Sequence, residues 1–507
     1  MRIIERITSL ASEKPDVFAY CNYLPSKGTQ TLTYAQLTDY SDRLAFYLQE
    51  KIGENKLPIV VYGHKNPYML VCFLACVKSG RAYVPIDISM PNERVREILS
   101  ITESPMVLST EPLNLFLKNI INLDEITSII RTTTQEIAPI HCVKGDDTFY
   151  IIFTSGSTGK PKGVKITENC LNNFVKWART LGSCNLANKP FTIINQAPFS
   201  FDLSVMDLYL ALYSGGTLWC LEKDVQMDYK LLCESLQRSN ANILVSTPSF
   251  VNLCLAGDFF NEKLMLNMEL FLFCGERLSN HTVEQLIERF PKATIVNTYG
   301  PTESTVAVTQ IIVNSEVLKK HNPLPVGKPK PGTHVFIVDN NDNFLPEGEK
   351  GEILIVGDTV SPGYLNASNK VFARLEVNGQ FYRSYRTGDI GYMKDGLLFY
   401  CGRMDSQIKL HGYRIEIEDI ENNLLKVSNI KNAVVIPSHK DNEMVSLTAF
   451  IVVDFEVISA LKSSLKIKNE LKKLVPNYMI PKKFVFVKTL PMTNRGKVDR
   501  KKLMEEI

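Results

Sequence analysis

Three observations predict an α/β protein with mainly parallel sheets. Short apolar strands alternate with amphipathic helices over most of the chain, the pattern turns β-rich from about Val326, and a segment with its own charge balance begins near 402–405. At 507 residues the chain exceeds what one hydrophobic core usually serves. A large N-terminal domain over 1–402 and a smaller C-terminal domain over 403–507 are therefore expected.

Taken in order, 58–62 reads as a strand, 67–78 as a helix apolar on every side and hence buried, and 82–86 as the next strand. A further apolar run, 148–153, leads into a glycine-rich loop. Strands are expected at 191–195, 242–246, 270–273 and 293–297, with helices at 228–239 and 281–290 among them. Turns at Lys330-Pro331-Gly332, Pro346-Glu347-Gly348 and Ser361-Pro362-Gly363 punctuate the β-rich stretch.

Composition removes several function classes. Hydrophobic content of 45% and charged content of 22% are those of a globular protein that builds a core. A net charge of only +3 argues against nucleic acid as a partner. The longest apolar stretch, 68–77, is too short to span a bilayer, so no membrane insertion is expected. The N-terminus has mixed charge and no apolar core of the signal-peptide kind. The 11 cysteines include no C-x-x-C pair, which disfavours a zinc ribbon or redox dithiol. Reduced thiols in the cytoplasm are the plain expectation, with Cys72 and Cys76 as core filler. The segment 403–507 carries 19 Lys and Arg against 13 Asp and Glu, so it is the basic part of the chain.

The chemistry-bearing residues lie in loops. Thr154-Ser155-Gly156-Ser157-Thr158-Gly159-Lys160-Pro161-Lys162-Gly163 follows the 148–153 strand and exposes backbone N–H groups that suit a polyphosphate, with Lys160 and Lys162 adding charge. It is not a Walker A loop, because Lys160 comes too early and precedes Pro161. Asn297-Thr298-Tyr299-Gly300-Pro301-Thr302-Glu303 follows another strand. It offers the Thr302 hydroxyl to phosphate and the hard Glu303 carboxylate to Mg²⁺, the competing reading being a Gly-Pro turn and a helix-capping Thr. Asp389, in Tyr385-Arg386-Thr387-Gly388-Asp389, ends a Tyr-rich strand and suits ribose hydroxyls, or else is an ordinary Gly-Asp turn. Tyr400-Cys401-Gly402-Arg403-Met404-Asp405 brings a phosphate-capable Arg to the domain boundary. Lys497, in Asn494-Arg495-Gly496-Lys497-Val498-Asp499-Arg500, is either a solvated tail charge or a cation that reaches a cleft.

These motifs, in this order and spacing, resemble the adenylate-forming superfamily of acyl-CoA synthetases, luciferase and peptide synthetase adenylation domains, from Leu32 to Arg500. The resemblance implies stacked αβ sheets and a β-rich subdomain in the N-terminal part, and a small mobile α+β C-terminal domain. It implies two steps, in which a carboxylate attacks ATP·Mg²⁺ to give an acyl adenylate and a thiol then displaces AMP. It places Thr154, Ser155, Gly156, Ser157, Thr158 and Lys162 in the phosphate loop. Asn297 to Thr302, Asp389, Tyr400, Cys401, Gly402 and Arg403 would line the ATP site, and Glu303 would hold the metal. Lys497 would be the catalytic cation that bridges carboxylate and phosphate. Asp405 falls at the family's hinge, and Gly412 where a pantetheine thiol passes, a place that cannot spare a Cβ.

The carboxylate substrate is narrowed by Asp202, which sits among apolar residues in 199–209 and calls for a cation. A substrate α-ammonium would serve; a cap on the next helix is the alternative. The stretches 195–207, 246–250, 273–276 and 407–414 resemble the ligases that charge a carrier protein with D-alanine at the start of lipoteichoic acid D-alanylation. That likeness implies that Cys274 helps to select the D enantiomer and that Val306 lies beside the alanine, whereas by its chemistry Cys274 is equally a buried strand-end thiol. The chain ends soon after Arg500, so a phosphopantetheinylated carrier is expected in trans, with the basic 403–507 segment available to steer an acidic partner. The competing readings are a free-standing synthetase for another small amino acid, an acyl-CoA synthetase, against which Asp202 counts, and an inert homologue, against which Lys497, Glu303, Asp389 and Arg403 count.

Overall fold

In the computed structural model the alternating pattern resolves into strands and helices close to those expected. The structure describes residues 1–26, 28–138, 141–156, 159–183, 190–410, 412–440, 443–455, 457, 459–492 and 498–505. The expected strands are found at Ile59–Tyr62, Tyr83–Ile86, Thr148–Thr154, Thr192–Asn195, Ile243–Ser246, Leu270–Phe273 and Thr294–Tyr299. The expected helices are Tyr68–Lys78, Tyr229–Ser239 and Asn280–Arg289. Contacts divide the chain into two units. The first comprises Met1–Asp87, Thr102–Ile152 and Gly163–Met404; the second comprises Ile88–Ile101, Phe153–Lys162 and Asp405–Ile507. The division thus falls between Met404 and Asp405, and the second unit takes in two segments from far upstream.

Among the described residues the first unit holds a nine-stranded sheet, a seven-stranded sheet and a five-stranded sheet. In the nine-stranded sheet, Thr294–Tyr299, Leu270–Phe273, Ile243–Ser246, Thr192–Asn195 and Thr217–Cys220 run parallel side by side. Each enters through an apolar run buried on both faces, as parallel strands require. The seven-stranded sheet is centred on Thr148–Thr154, Tyr83–Ile86 and Ile59–Tyr62. The five-stranded sheet is antiparallel and accounts for the β-rich stretch.

One core joins the two larger sheets. Helix Leu203–Ser214 is buried along its whole length, and a helix that is apolar all round belongs in an interior. It ends at Gly215, whose left-handed φ of 76° lets its N–H reach the Ala211 carbonyl. The Tyr209 hydroxyl on this helix meets that of Tyr83 on the seven-stranded sheet at 2.8 Å, so helix and sheet share a polar tie inside an apolar core. Phe73 stacks on Tyr83 at 4.3 Å between ring centroids.

The second unit has a hairpin, Gln407–Leu410 with Tyr413–Glu416, and a three-stranded sheet of Ile430–Lys440, Glu443–Val453 and Lys483–Phe486. Its separate core includes Ile415, Ile420, Leu424, Val435, Ala449 and Leu471. Within this unit the Arg94 guanidinium joins the Asp419 carboxylate at 2.5 Å to the Gly159 carbonyl at 3.0 Å. That pairing explains why the upstream segments belong with the C-terminal residues.

Leu210 is 1% exposed at the centre of the first unit's core. Leu210→Ala is expected to cost about 2–5 kcal/mol, read as a lower urea midpoint for the first unit with the denaturant slope unchanged.

Candidate functional site

The carboxyl ends of adjacent parallel strands are where open α/β sheets place their ligands. Four neighbours in the nine-stranded sheet deliver their following loops to one edge. Thr294–Tyr299 leads to Gly300–Glu303, Leu270–Phe273 to Cys274 and Gly275, Ile243–Ser246 to Thr247, and Thr192–Asn195 to the loop that ends in Asp202.

The Gly300 turn is shaped by close approach. A Cβ at Gly300 would fall 2.6 Å from the Ala307 Cα and 2.9 Å from the Val306 carbonyl oxygen. No long helix follows it. Thr302–Ser304 is a single 3-10 turn flanked by Pro301, so Thr302 is not a helix cap. Among the described residues its hydroxyl has no hydrogen-bond partner, although the residue is only 7% exposed. Thr305 and Val306 then both take left-handed φ values, 63° and 69°. For a β-branched residue this is strained backbone, and such strain collects at ligand sites.

Val306 and Cys274 meet here, with the Cys274 Sγ 3.5 Å from the Val306 carbonyl oxygen. Cys274 is buried at a strand end, as its simpler reading also requires. The neighbouring Gly275 faces the methyl of Thr247 and the ring tip of Phe201. Asp202 is 8% exposed at the start of Leu203–Ser214 and its side chain makes no capping hydrogen bond to that helix, so the alternative reading of it as a cap is not borne out. Asn297 and Thr298 spend their side chains on structure, donating to the Pro325 carbonyl at 2.9 Å and the Phe273 carbonyl at 2.7 Å.

Glu303 is fully buried and accepts a hydrogen bond from the Tyr364 hydroxyl at 2.8 Å. Among the described residues no group of three His, Cys, Asp or Glu is placed to hold a metal ion. A lone carboxylate fits Mg²⁺, which keeps its waters and takes its other ligands from substrate phosphate. Tyr364 carries no warning in the sequence, where a Tyr directly after Ser361-Pro362-Gly363 gives no signal of its partner.

Asp389 lies mid-strand, not at a strand end. Gln380–Lys394 runs straight through it, with a bulge between Ile390 and Gly391 that lets the strand bend without stopping. Its carboxylate accepts from the Tyr299 hydroxyl at 2.5 Å and from the Arg403 guanidinium at 2.9 Å. Arg403 also donates to the Thr387 carbonyl at 2.8 Å. Burial, and then the Asp389 charge, push the Tyr299 phenol far up, so it stays a donor. Tyr400 lies beside Tyr299 at 5.9 Å, Cys401 is exposed, and Gly402 pairs with Ile390. The first unit thus gathers Tyr299, Asp389, Tyr400 and Arg403 into one cluster.

The remaining expected residues belong to the second unit. Thr154 ends its strand, and the Ser155 hydroxyl donates to the Arg414 carbonyl at 2.9 Å and accepts from the Glu416 N–H at 3.1 Å. A Cβ at Gly156 would sit 2.2 Å from the Lys160 carbonyl oxygen. Lys162 opens the strand Lys162–Thr167. Asp405 accepts from the Gln407 N–H at 3.1 Å, and Gly412, with φ of 83°, turns the hairpin between Leu410 and Tyr413. Ser157, Thr158 and Lys497 lie outside the described residues.

Comparison with known proteins bears on the family and the fold. Residues 8–365 match the family model for AMP-binding enzyme, and residues 419–497 that for the AMP-binding enzyme C-terminal domain. The chain is 46% identical to the D-alanine--D-alanyl carrier protein ligase of Bacillus cereus (strain B4264), covering 100% of both chains. It is likewise 46% identical, at the same coverage, to the ligase of that name from Bacillus thuringiensis (strain Al Hakam). Among solved structures it resembles an NRPS protein containing adenylation and PCP domains bound to a vinylsulfonamide inhibitor. There the TM-score is 0.84 at 25% identity, over 100% of this chain and 84% of the other. The fold is also that of a Vibrio cholerae adenylation domain in complex with glycyl-adenosine-5'-phosphate, with a TM-score of 0.82 at 21% identity over 99% and 97% of the two chains.

Gly300→Ala forces a methyl against backbone and is expected to weaken AMP binding by about 1–3 kcal/mol, measured by calorimetry. Unchanged affinity would remove the Gly300 turn from the nucleotide site.

Proposed function

We propose that this chain, which belongs to the AMP-binding enzyme family, uses ATP to activate D-alanine and passes it to the phosphopantetheine thiol of a carrier protein. This would be the first step of lipoteichoic acid D-alanylation. The observation that carries the reading is the 46% identity, over full length on both sides, to ligases named for that reaction. The buried Asp202, on a loop at the same sheet edge as Cys274 and Val306, supports an amino acid as substrate.

In the first step a D-alanine carboxylate oxygen attacks the α-phosphorus of ATP. A P–O bond forms, the bond to the β-phosphate oxygen breaks, and pyrophosphate leaves with its electron pair. Asp202 would hold the ammonium, while Cys274 and Val306 would flank the methyl. In the nucleotide site, Asp389 would accept from the ribose hydroxyls, with Arg403 and Tyr299 orienting it. Tyr400, Cys401 and Gly402 would line that site together with the 297–302 turn. Thr302 would donate its hydroxyl to phosphate. Thr154, Ser155, Gly156, Ser157, Thr158 and Lys162 would cradle the leaving phosphates, and Glu303 would hold Mg²⁺, which neutralises phosphate charge. Lys497 would bridge the attacking carboxylate and the α-phosphate, so that positive charge sits where negative charge concentrates. In the second step the thiol sulfur, having lost its proton, attacks the acyl carbonyl. A C–S bond forms and AMP leaves.

Asp405 is the proposed hinge between the steps, and Gly412 would give the pantetheine arm its passage. The carrier would come in trans. The proposed location is the cytoplasm, where ATP and thiols coexist. Among the described residues no helix is long and apolar enough to cross a membrane.

ATP–pyrophosphate exchange with D-alanine, L-alanine, glycine and a short fatty acid tests this reading. Exchange with D-alanine well above the others is expected, and exchange driven by L-alanine, glycine or the fatty acid instead would overturn it. Lys497→Ala is expected to abolish adenylation yet spare thioester formation from preformed D-alanyl-AMP, in rapid-quench assays of each step. Cys274→Ala is expected to lower the D/L ratio of kcat/KM; an unchanged ratio removes Cys274 from enantiomer selection.

A further inference from the structure

Lys65 is a lysine with 1% exposure, and the two-step reaction has no use for it. A buried ammonium costs several kcal/mol unless it is paired and hydrogen-bonded. Here it is held on one loop. Its Nζ donates to the Asn195 Oδ1 and to the Ala197 carbonyl, and it lies 4.6 Å from the centroid of the Phe199 ring. The Asn195 amide carries the contact onward, donating through Nδ2 to the Asp207 Oδ1 at 2.8 Å. Asp207 is fully buried on Leu203–Ser214, the helix that Asp202 opens. Lys65 is itself anchored, because the Tyr20 hydroxyl donates to its carbonyl.

These ties enclose a short piece of chain. It leaves the sheet at Asn195, turns through Pro198 to Phe201 with a 2.9 Å backbone bond, and enters the helix at Asp202. Asn195 is fixed to the helix through Asp207, Ala197 to the ammonium, and Phe199 beneath it. The amide of Asn195 stands between a cation and a carboxylate, so its two ends cannot exchange places. Burial pushes the Lys65 ammonium down and the Asp207 carboxyl up, and the charge of each opposes the shift of the other.

We propose that Lys65 is a positioning residue for the amino-acid pocket, holding the 195–202 loop where Asp202 can meet the substrate ammonium. The inference rests on the reading of Asp202 as the ammonium's partner. Without the ammonium, the Ala197 carbonyl and the Asn195 amide oxygen lose a charged donor inside the core. The loop then shifts to satisfy them and carries Asp202 with it. The nucleotide cluster of Tyr299, Asp389 and Arg403 shares none of these bonds.

The test uses the full-length enzyme in ATP–pyrophosphate exchange, with KM for D-alanine and for ATP measured separately. Asp202→Ala is expected to raise KM for D-alanine; if it does not, the substrate reading and this inference both fall. Lys65→Met, close in volume but without donor or charge, is expected to raise KM for D-alanine about 10–100-fold with KM for ATP unchanged. Combined with Asp202→Ala, it is expected to add nothing further. Asp207→Asn, which keeps the shape and weakens the far end of the chain, is expected to give a smaller selective rise, and it decides alone if Lys65→Met fails to fold. Normal D-alanine KM in both variants, beside an affected Asp202→Ala, would overturn the positioning role. So would a parallel rise in both KM values, which marks Lys65 as a general support of the fold.

Discussion

Everything at the site depends on parallel register in the nine-stranded sheet. Four neighbouring strands run parallel in register, Ser246 level with Phe273 and Phe273 with Asn297, so their carboxyl ends lie within a few residues of one another and their loops open on one edge. Antiparallel neighbours would send alternate loops to the opposite edge and scatter Asp202, Thr247, Cys274 and Thr302. The hydrogen bonds of the ladder are individually modest. Their collective effect is to hold the loops of Asp202, Thr247, Cys274 and Thr302 side by side. The long buried helix Leu203–Ser214 then fixes that edge against the second sheet.

The charged groups here are paired with care because they are buried. Asp389 has a phenol and a guanidinium, Glu303 has a phenol, and Asp207 has an amide that leads to an ammonium. The partners differ in kind. A guanidinium neutralises, whereas a phenol pushed far up in pKa donates without adding charge. Glu303 is thus met by a phenol, while Asp389 is met by both a phenol and a guanidinium. This graded pairing is what a site for polyanions needs, where too much fixed positive charge would bind product as tightly as substrate.

Much of this was legible in the sequence because it depends on local pattern. Apolar runs such as 270–273 and 243–246 read as buried parallel strands, and Gly/Ser/Thr loops after strands read as ligand loops. Asp202 was conspicuous because an acid in an apolar run calls for a partner. The rest depends on partners distant in the chain. Tyr364 lies 61 residues from Glu303, and Lys65 130 residues from Asn195. The left-handed Thr305 and Val306 carry no signal at all, because their residue types argue against that conformation. Asp389 closes a Tyr-rich run that reads as the end of a strand, yet a bulge carries the strand on.

The Gly300–Ala307 approach has a consequence for how the two substrates are sensed together. The turn that would face the phosphates and Val306, which would line the alanine pocket, approach backbone to backbone, with no side chain between them to absorb a displacement. Two ligands resting on one stiff piece of chain share free energy, and by linkage each changes the other's affinity by the same factor. Synergy between nucleotide and amino acid would then be a mechanical property of a missing methyl.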